Sequence, residues 1–149
     1  MQISSRFTLA LHILACIDAF SPDRKVTSKF LAGSTNVNPV IVRMILGQLK
    51  SDGIVEVARG TGGATIERPL EDITFFDVYE AVGCLDNGEL FHFHENPDLN
   101  CPVGGNIHAV LDGKLNRVQL ALERELKSIT LADVSEDLKK RLKIEQSDL

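Results

Sequence analysis

The stretch from Val26 to Ile66 limits what this chain can fold into more than any other. Thr27 can cap a short helix from Ser28 to Ala32 that ends at Gly33, and Ser34-Thr35-Asn36-Val37 supplies a turn. Asn38 and Pro39 open a second helix: the Asn side chain accepts from the orphan amides of the first turn, and proline at the first position gives up no hydrogen bond. That helix is predicted to run to about Asp52, with Gly53 as its stop. Ile54 to Ile66 then reads as a short apolar segment, the Gly-rich tip Arg59-Gly60-Thr61-Gly62-Gly63 and a second apolar segment, the pattern of a β-hairpin. Helix, turn, helix and hairpin in that order predict a winged helix-turn-helix, an arrangement suited to holding DNA. The fold class is therefore mainly α with a small β-hairpin.

Within the second of these helices Ile41, Val42, Ile45, Leu46 and Leu49 form the predicted inward stripe, and Pro39, Arg43, Gly47 and Lys50 fall on the other side. A small or basic outward face suits a major groove, where bulky acidic side chains would repel phosphates. A solvated surface face fits the same composition. The glycines of the tip supply positive φ and close backbone approach, and Arg59 at its base can enter a minor groove or clamp a phosphate. A nucleotide-binding phosphate loop does not fit, because no Gly-Lys-Ser/Thr follows and the flanks read as strands.

Charge divides unevenly along the chain. The net charge of −5 argues against nucleic acid taken alone, yet residues 1–70 carry +3 and residues 71–149 carry −8. A DNA-reading end joined to an acidic effector or assembly end has this asymmetry. No apolar run approaches the roughly 20 residues that span a bilayer, and Met1 to Ala19 lacks a small-residue cleavage pattern. The expectation is a soluble, cytoplasmic protein without a membrane partner. Three cysteines, Cys16, Cys84 and Cys101, point to free thiols rather than a disulfide framework.

Before the core stretch, Ile3, Phe7, Ala10, Leu11, Leu14, Ile17 and Phe20 recur at helical spacing and predict a first helix stopped by Ser21-Pro22-Asp23. His12 and Cys16 lie four apart in it, and buried packing is the preferred reading for the cysteine over a shared ligand. After the hairpin, Thr74 and Asp77 form a capping-box pattern with Ile73 placed to staple against Val78, and this helix ends at Gly83. Cys84 to Gly105 shows no sustained periodicity, and a connection of about 20 residues is functional or disordered. Beyond Asn106, Ile107, Val110, Leu111, Leu115, Val118, Leu122 and Leu126 predict a helix of about 22 residues, most simply an antiparallel dimerisation helix. Short turns are expected at Thr130 and Ser135, with a polar, fraying tail from Lys139. The implied organisation is a DNA-binding unit over 1–83, an effector loop over 84–105, and a dimerisation helix with tail over 106–149.

Leu49-Lys50-Ser51-Asp52-Gly53-Ile54-Val55, the tip Arg59 to Gly63, Ile73 to Val82 and Ile129-Thr130-Leu131-Ala132-Asp133 together resemble the Rrf-type winged-helix regulators of bacteria, over nearly the whole chain. That group includes the iron-sulfur cluster regulator, the nitric-oxide-sensitive repressor and the repressor of cysteine metabolism. The resemblance implies a homodimeric transcription factor, usually a repressor, on a palindromic double-stranded DNA operator, and no enzyme. Carried over by position, DNA contacts fall on Ser28, Asn38, Pro39, Val40, Arg43 and Arg59 and the backbone of Gly60, Thr61 and Gly62, and the outward Lys50 joins them. Cluster-binding members have three closely spaced cysteines before the dimer helix, where this chain has only Cys84 and Cys101; neither an iron-sulfur cluster nor zinc is the favoured cofactor. The pieces Phe91 to Pro97 and Cys101 to Gly104 resemble a Gram-positive subgroup.

Three readings stay open for Cys84, His92, His94, Cys101 and His108. They are loop residues without a ligand; or Cys101, ahead of Pro102 at a helix N-terminus, is a low-pKa thiol that oxidants convert to a disulfide with Cys84 or a partner cysteine. The third is a metal site from His92, His94, Cys101 and His108. The effector is accordingly a small molecule, an oxidant, a metal or a protein. A winged-helix module that binds protein instead of DNA is the alternative function. A thiol oxidoreductase is disfavoured by the lack of Cys-x-x-Cys.

Overall fold

The computed structural model describes residues 4–60, 62–83 and 89–147. Helices α1 (Ser5–Phe20), α2 (Ser28–Thr35) and α3 (Pro39–Ser51) are followed by strands β1 (Val55–Val57) and β2 (Ala64–Ile66). A 3₁₀ turn (Leu70–Asp72), α4 (Phe75–Ala81), α5 (Ile107–Ser128) and α6 (Leu131–Ser147) complete the chain. The strands pair antiparallel, Val55 with Ile66 and Val57 with Ala64, as the hairpin pattern predicts. The backbone N–H of Ala64 also donates to the Val26 carbonyl at 2.9 Å, which anchors the wing to the segment before α2. The fold is a mainly helical winged helix-turn-helix. No helix among the described residues is long and apolar enough to cross a membrane.

Local chemistry sets most boundaries. Asn38 Oδ1 accepts from Val40 N at 2.8 Å with Pro39 at the first helical position, and Gly53 takes φ +71° after α3. Thr74 and Asp77 make the full capping box. Gly33, expected to end α2, lies inside it. The helix continues to Thr35, whose hydroxyl donates to the Leu31 carbonyl at 2.7 Å, and Asn36 takes the left-handed conformation at φ +57°. Asparagine reaches that region more readily than other side chains, so it replaces glycine as the stop.

The core lies between α1 and everything packed around it. Ala10, Ile13, Leu14, Cys16 and Ile17 are buried, together with Val26, Leu31, Val42, Ile45, Leu49, Ile54 and Ile73. Ile13 joins the expected stripe because α1 is contacted from several sides, by α2, α3, β2, α4 and α6. Phe20 is exposed and instead stacks edge-on with Phe30. Ile41, placed inward by its spacing, is exposed, since α3 buries only the narrower stripe of Val42, Ile45, Leu46 and Leu49. Phe7 meets Phe75 and the fully buried Tyr79 edge-on at 5.9 and 5.5 Å, joining α1 to α4. His12 and Cys16 do converge on one group, the Ser34 hydroxyl, at 3.0 and 3.2 Å, so their pairing serves α1–α2 packing.

The C-terminus differs from expectation. In place of short turns and a fraying tail, α6 is a continuous helix. Thr130 and Asp133 repeat the capping box, Leu131 is buried, and Ser135 donates to Asp18 Oδ2 at 2.6 Å on α1. Phe75 N to Ile129 O and Leu131 N to Ile73 O bind the start of α6 to the start of α4. By contrast α5, which packs against α4, is little buried: of its apolar stripe only Leu126 is buried, while Val110, Leu111 and Val118 are exposed.

Candidate nucleic-acid interface and effector segment

A groove of about 650 Å³ runs between the start of α2, the outward face of α3 and the wing. Its floor is apolar, from Val26, Leu46, Val57 and Ala64, and four cations, Lys29, Arg43, Lys50 and Arg59, line it. Ser28, Gly47 and Gly60 complete the approach. Gly47 leaves open space where a side chain would stand, so a bulky ligand can come close to the α3 backbone. Arg43 and Lys50 project together because seven residues make two helical turns, and Arg59 comes from the strand end that the hairpin folds back towards α3.

The wing tip depends on its glycines. Gly60 and Gly63 have φ of +70° and +82°, and a Cβ on Gly63 would stand 2.7 Å from Val26 N. A Cβ on Gly62 would overlap the Ala58 side chain. Ala58 N donates to Gly63 O at 3.0 Å and closes the loop, while Thr61 lies outside the described residues. Asn38, Pro39 and Val40 sit at the exposed N-terminal end of α3, beside the groove rather than in its wall; Val40 is 61% exposed.

Two residues, one in the groove wall and one beside it, escape the sequence reading. Lys29 is one, although its position directly after Ser28 at the opening of α2 was a usable signal. The other neighbour is Glu56, which faces outward from β1 and holds Lys50 Nζ at 3.4 Å. Both side chains are about half exposed, so this pair is worth only ~0–1 kcal/mol and yields to a stronger anion.

The candidate sensor residues are brought together only in part. His94 and His108 stack with ring centres 5.7 Å apart, Phe93 meets His108 edge-on at 5.9 Å, and His92 lines the same cavity of about 450 Å³. His108 Nδ1 lies 3.2 Å from Asp112 Oδ1. Cys101 is not part of that wall, and Cys84 lies outside the described residues. Cys101 is exposed and sits in the turns before α5, not at the helix terminus itself. The turn has a comparable effect: the backbone N–H groups of Gly104, then Val103, donate to the sulfur and hold its pKa below the ordinary thiol value. Gly104 can approach because it lacks a Cβ, which would collide with the Asp98 carbonyl.

Comparisons with known proteins bear on the family and the fold. The Rrf2 family model, described as an iron-dependent transcriptional regulator, matches residues 3–137. YwnA of Bacillus subtilis (strain 168), an HTH-type transcriptional regulator by its name, is 42% identical over 137 residues, 92% of this chain and 99% of that protein. A crystal structure described as that of a DNA-binding protein is 38% identical with a TM-score of 0.69, over 87% of this chain and 98% of the other. T. potens IscR, 20% identical, shares the fold with a TM-score of 0.69 over 95% of this chain and 90% of its own. The iron in the family description can be tested against the residues present. Among the described residues, which do not include Cys84, no three His, Cys, Asp or Glu side chains converge where one ion could be held, so the described residues by themselves do not assemble an iron site.

Proposed function

This chain belongs to the Rrf2 family of transcriptional regulators, and on that premise we propose that it is a homodimeric, sequence-specific repressor whose operator affinity is set by its effector segment. The observation that carries the reading is the groove that gathers Lys29, Arg43, Lys50 and Arg59 between α3 and the wing on a chain of net charge −5. Phosphates select such a local cluster against an acidic background, because screening over a Debye length of about 8 Å hides the distant carboxylates. The start of α3 with Asn38, Pro39, Val40 and Arg43 faces base edges, Ser28 and Lys50 hold the backbone, and Arg59 with the Gly60–Gly62 backbone enters the minor groove.

Dimerisation is supported by α5, a 22-residue helix whose Val110, Leu111 and Val118 are left exposed by the described residues. Paired antiparallel, two such helices place two readers on half-sites about one helical turn, ~34 Å, apart. The unit over 1–83 then reads, 84–105 controls, and 106–149 assembles, with α6 returning to brace α1. Leu90 N donates to Gln119 Oε1 at 3.0 Å, tying the control segment to the middle of α5. A change in that segment shifts operator affinity only by its differential affinity for the two dimer geometries.

Thiol oxidation is the second input, favoured by the exposed, amide-stabilised Cys101 sulfur. Peroxide takes the thiolate to the sulfenic acid with release of hydroxide, and a second thiol displaces water from it to leave a disulfide. The test of the main reading is titration of a palindromic promoter fragment at several salt concentrations. A steep negative log–log slope with preference over random DNA is expected; a slope near zero, or no preference, refutes it.

A further inference from the structure

A cavity of about 340 Å³ lies between the effector segment and α5, walled by Phe91, Phe93 and Leu115 on its apolar side and by Glu89, Asp112 and Asn116 on its polar side. Gln119 closes it and is held by Leu90 N and by Glu123 Oε1, to which its amide donates at 3.3 Å. We propose that this cavity binds a small organic cation, an alkylammonium or arylalkylammonium, as the effector of the regulator. The effector role rests on the reading of 84–105 as the control segment; the binding itself does not.

The sign of the ligand follows from charge. The charged residues that line the cavity are both acidic, Glu89 and Asp112, and no Lys or Arg lines it among the described residues. A cleft of one sign with low-dielectric walls concentrates ions of the other sign and excludes phosphate, carboxylate and thiolate metabolites. Its organic character follows from the walls. Two phenyl rings and Leu115 in the wall suit a cation that carries apolar groups, since aromatic rings attract cationic nitrogen and hydrocarbon gains by leaving water. A hydrated metal ion gains neither, and no triad of metal donors is assembled among the described residues.

Hydrogen bonding selects an N–H-bearing ammonium over a quaternary one, because Glu89, Asp112 and the Asn116 amide offer acceptors. Asp112 has one oxygen engaged by His108 Nδ1, whereas the Glu89 carboxylate has no ion pair among the described residues. Glu89 and Phe93 also line the neighbouring cavity of His92, His94 and His108, so filling one constrains the other. Since the walls come from both the segment and α5, an occupant fixes their spacing, as the Leu90–Gln119 hydrogen bond does at one point.

The experiment is thermal unfolding of the full chain, without DNA, in phenethylammonium chloride, sodium phenylacetate or magnesium chloride. At about 10 mM, ten times a millimolar Kd, phenethylammonium is expected to raise Tm in a concentration-dependent way, and the other two are expected to leave it unchanged. Glu89→Gln and Asp112→Asn should each abolish the shift; the exposed Glu89 makes its variant safe for folding. No shift with the ammonium, an equal shift with phenylacetate, or an undiminished shift in Glu89→Gln overturns the proposal. Operator titration with and without phenethylammonium then separates the two claims. Binding without an affinity change refutes the effector role alone, and failure to bind DNA at all refutes the regulator reading alone.

Discussion

Substituting alanine at Gly63 and at Gly60 separates two costs that a wing glycine avoids. Both residues have positive φ, +82° and +70°, so each alanine variant carries the left-handed penalty of ~1–2 kcal/mol. Only Gly63 faces a rigid neighbour. Its Cβ would stand 2.7 Å from Val26 N, 3.1 Å from Val26 O and 3.2 Å from the Lys25 carbonyl carbon, whereas Gly60 has nothing within 4 Å. Those atoms are backbone and cannot rotate away. Relief requires the wing to move off Val26, weakening the Ala64 N to Val26 O bond at a cost of ~0.5–1.5 kcal/mol, with overpacking adding ~1–3 kcal/mol. Val26 and Ala64 belong to the same buried cluster as α1, so the loss is felt by the whole domain rather than by a detached tip. Gly63→Ala is therefore expected to be less stable than Gly60→Ala by about 2–3 kcal/mol. Urea unfolding at one fixed protein concentration measures this, and with m of ~1–3 kcal/mol/M the midpoints should differ by about 1 M or more. Equal midpoints at unchanged m would refute the contact argument.

Arg43→Ala and Arg59→Ala should each flatten the log–log salt dependence of DNA binding by about 1, and neither should change the unfolding free energy in urea by more than ~0.5 kcal/mol. A fall in affinity with an unchanged slope would remove phosphate contact as their role. Cys101 should be alkylated by iodoacetamide with a pH midpoint below that of a free thiol, and Gly104→Ala should raise that midpoint by displacing its amide. In linkage terms the depressed pKa means that the turn's contribution is present above the ordinary thiol pKa and is lost as pH falls through the lowered value. An alkylation profile identical to that of a cysteine-containing peptide would refute it. Ser135→Ala strips the 2.6 Å bond from the part-buried Asp18 and should cost ~1–3 kcal/mol by urea unfolding; a neutral result would mean that α6 does not brace α1.

Much of the fold was legible because its signals are local. Asn38-Pro39, the Thr74–Asp77 box, and the glycines at 53, 60 and 63 act within a few residues, and the backbone obeys them in the structure. The 22-residue length of α5 follows from its stripe in the same way. A local signal is masked where its neighbours are polar. Thr130–Asp133 is a second capping box, but the polar sequence after it gave little sign of a continuous helix, since its anchoring contact, Ser135 to Asp18, spans 117 positions.

By itself the sequence determined the order of helices α1 to α5 and of the hairpin, the Gly-rich wing and the segregation of charge, because helix caps, periodicity and composition are properties of neighbouring residues. Only the tertiary structure decided that Lys29, Arg43, Lys50 and Arg59 share one groove, that Glu56 restrains Lys50, and that Ile41 is exposed. It also decided that turn amides rather than a helix end hold the Cys101 sulfur, and that Phe91 and Phe93 meet Asp112 and Leu115 around a cavity. These are contacts between residues distant along the chain. Their existence depends on how whole helices pack, which no local pattern encodes.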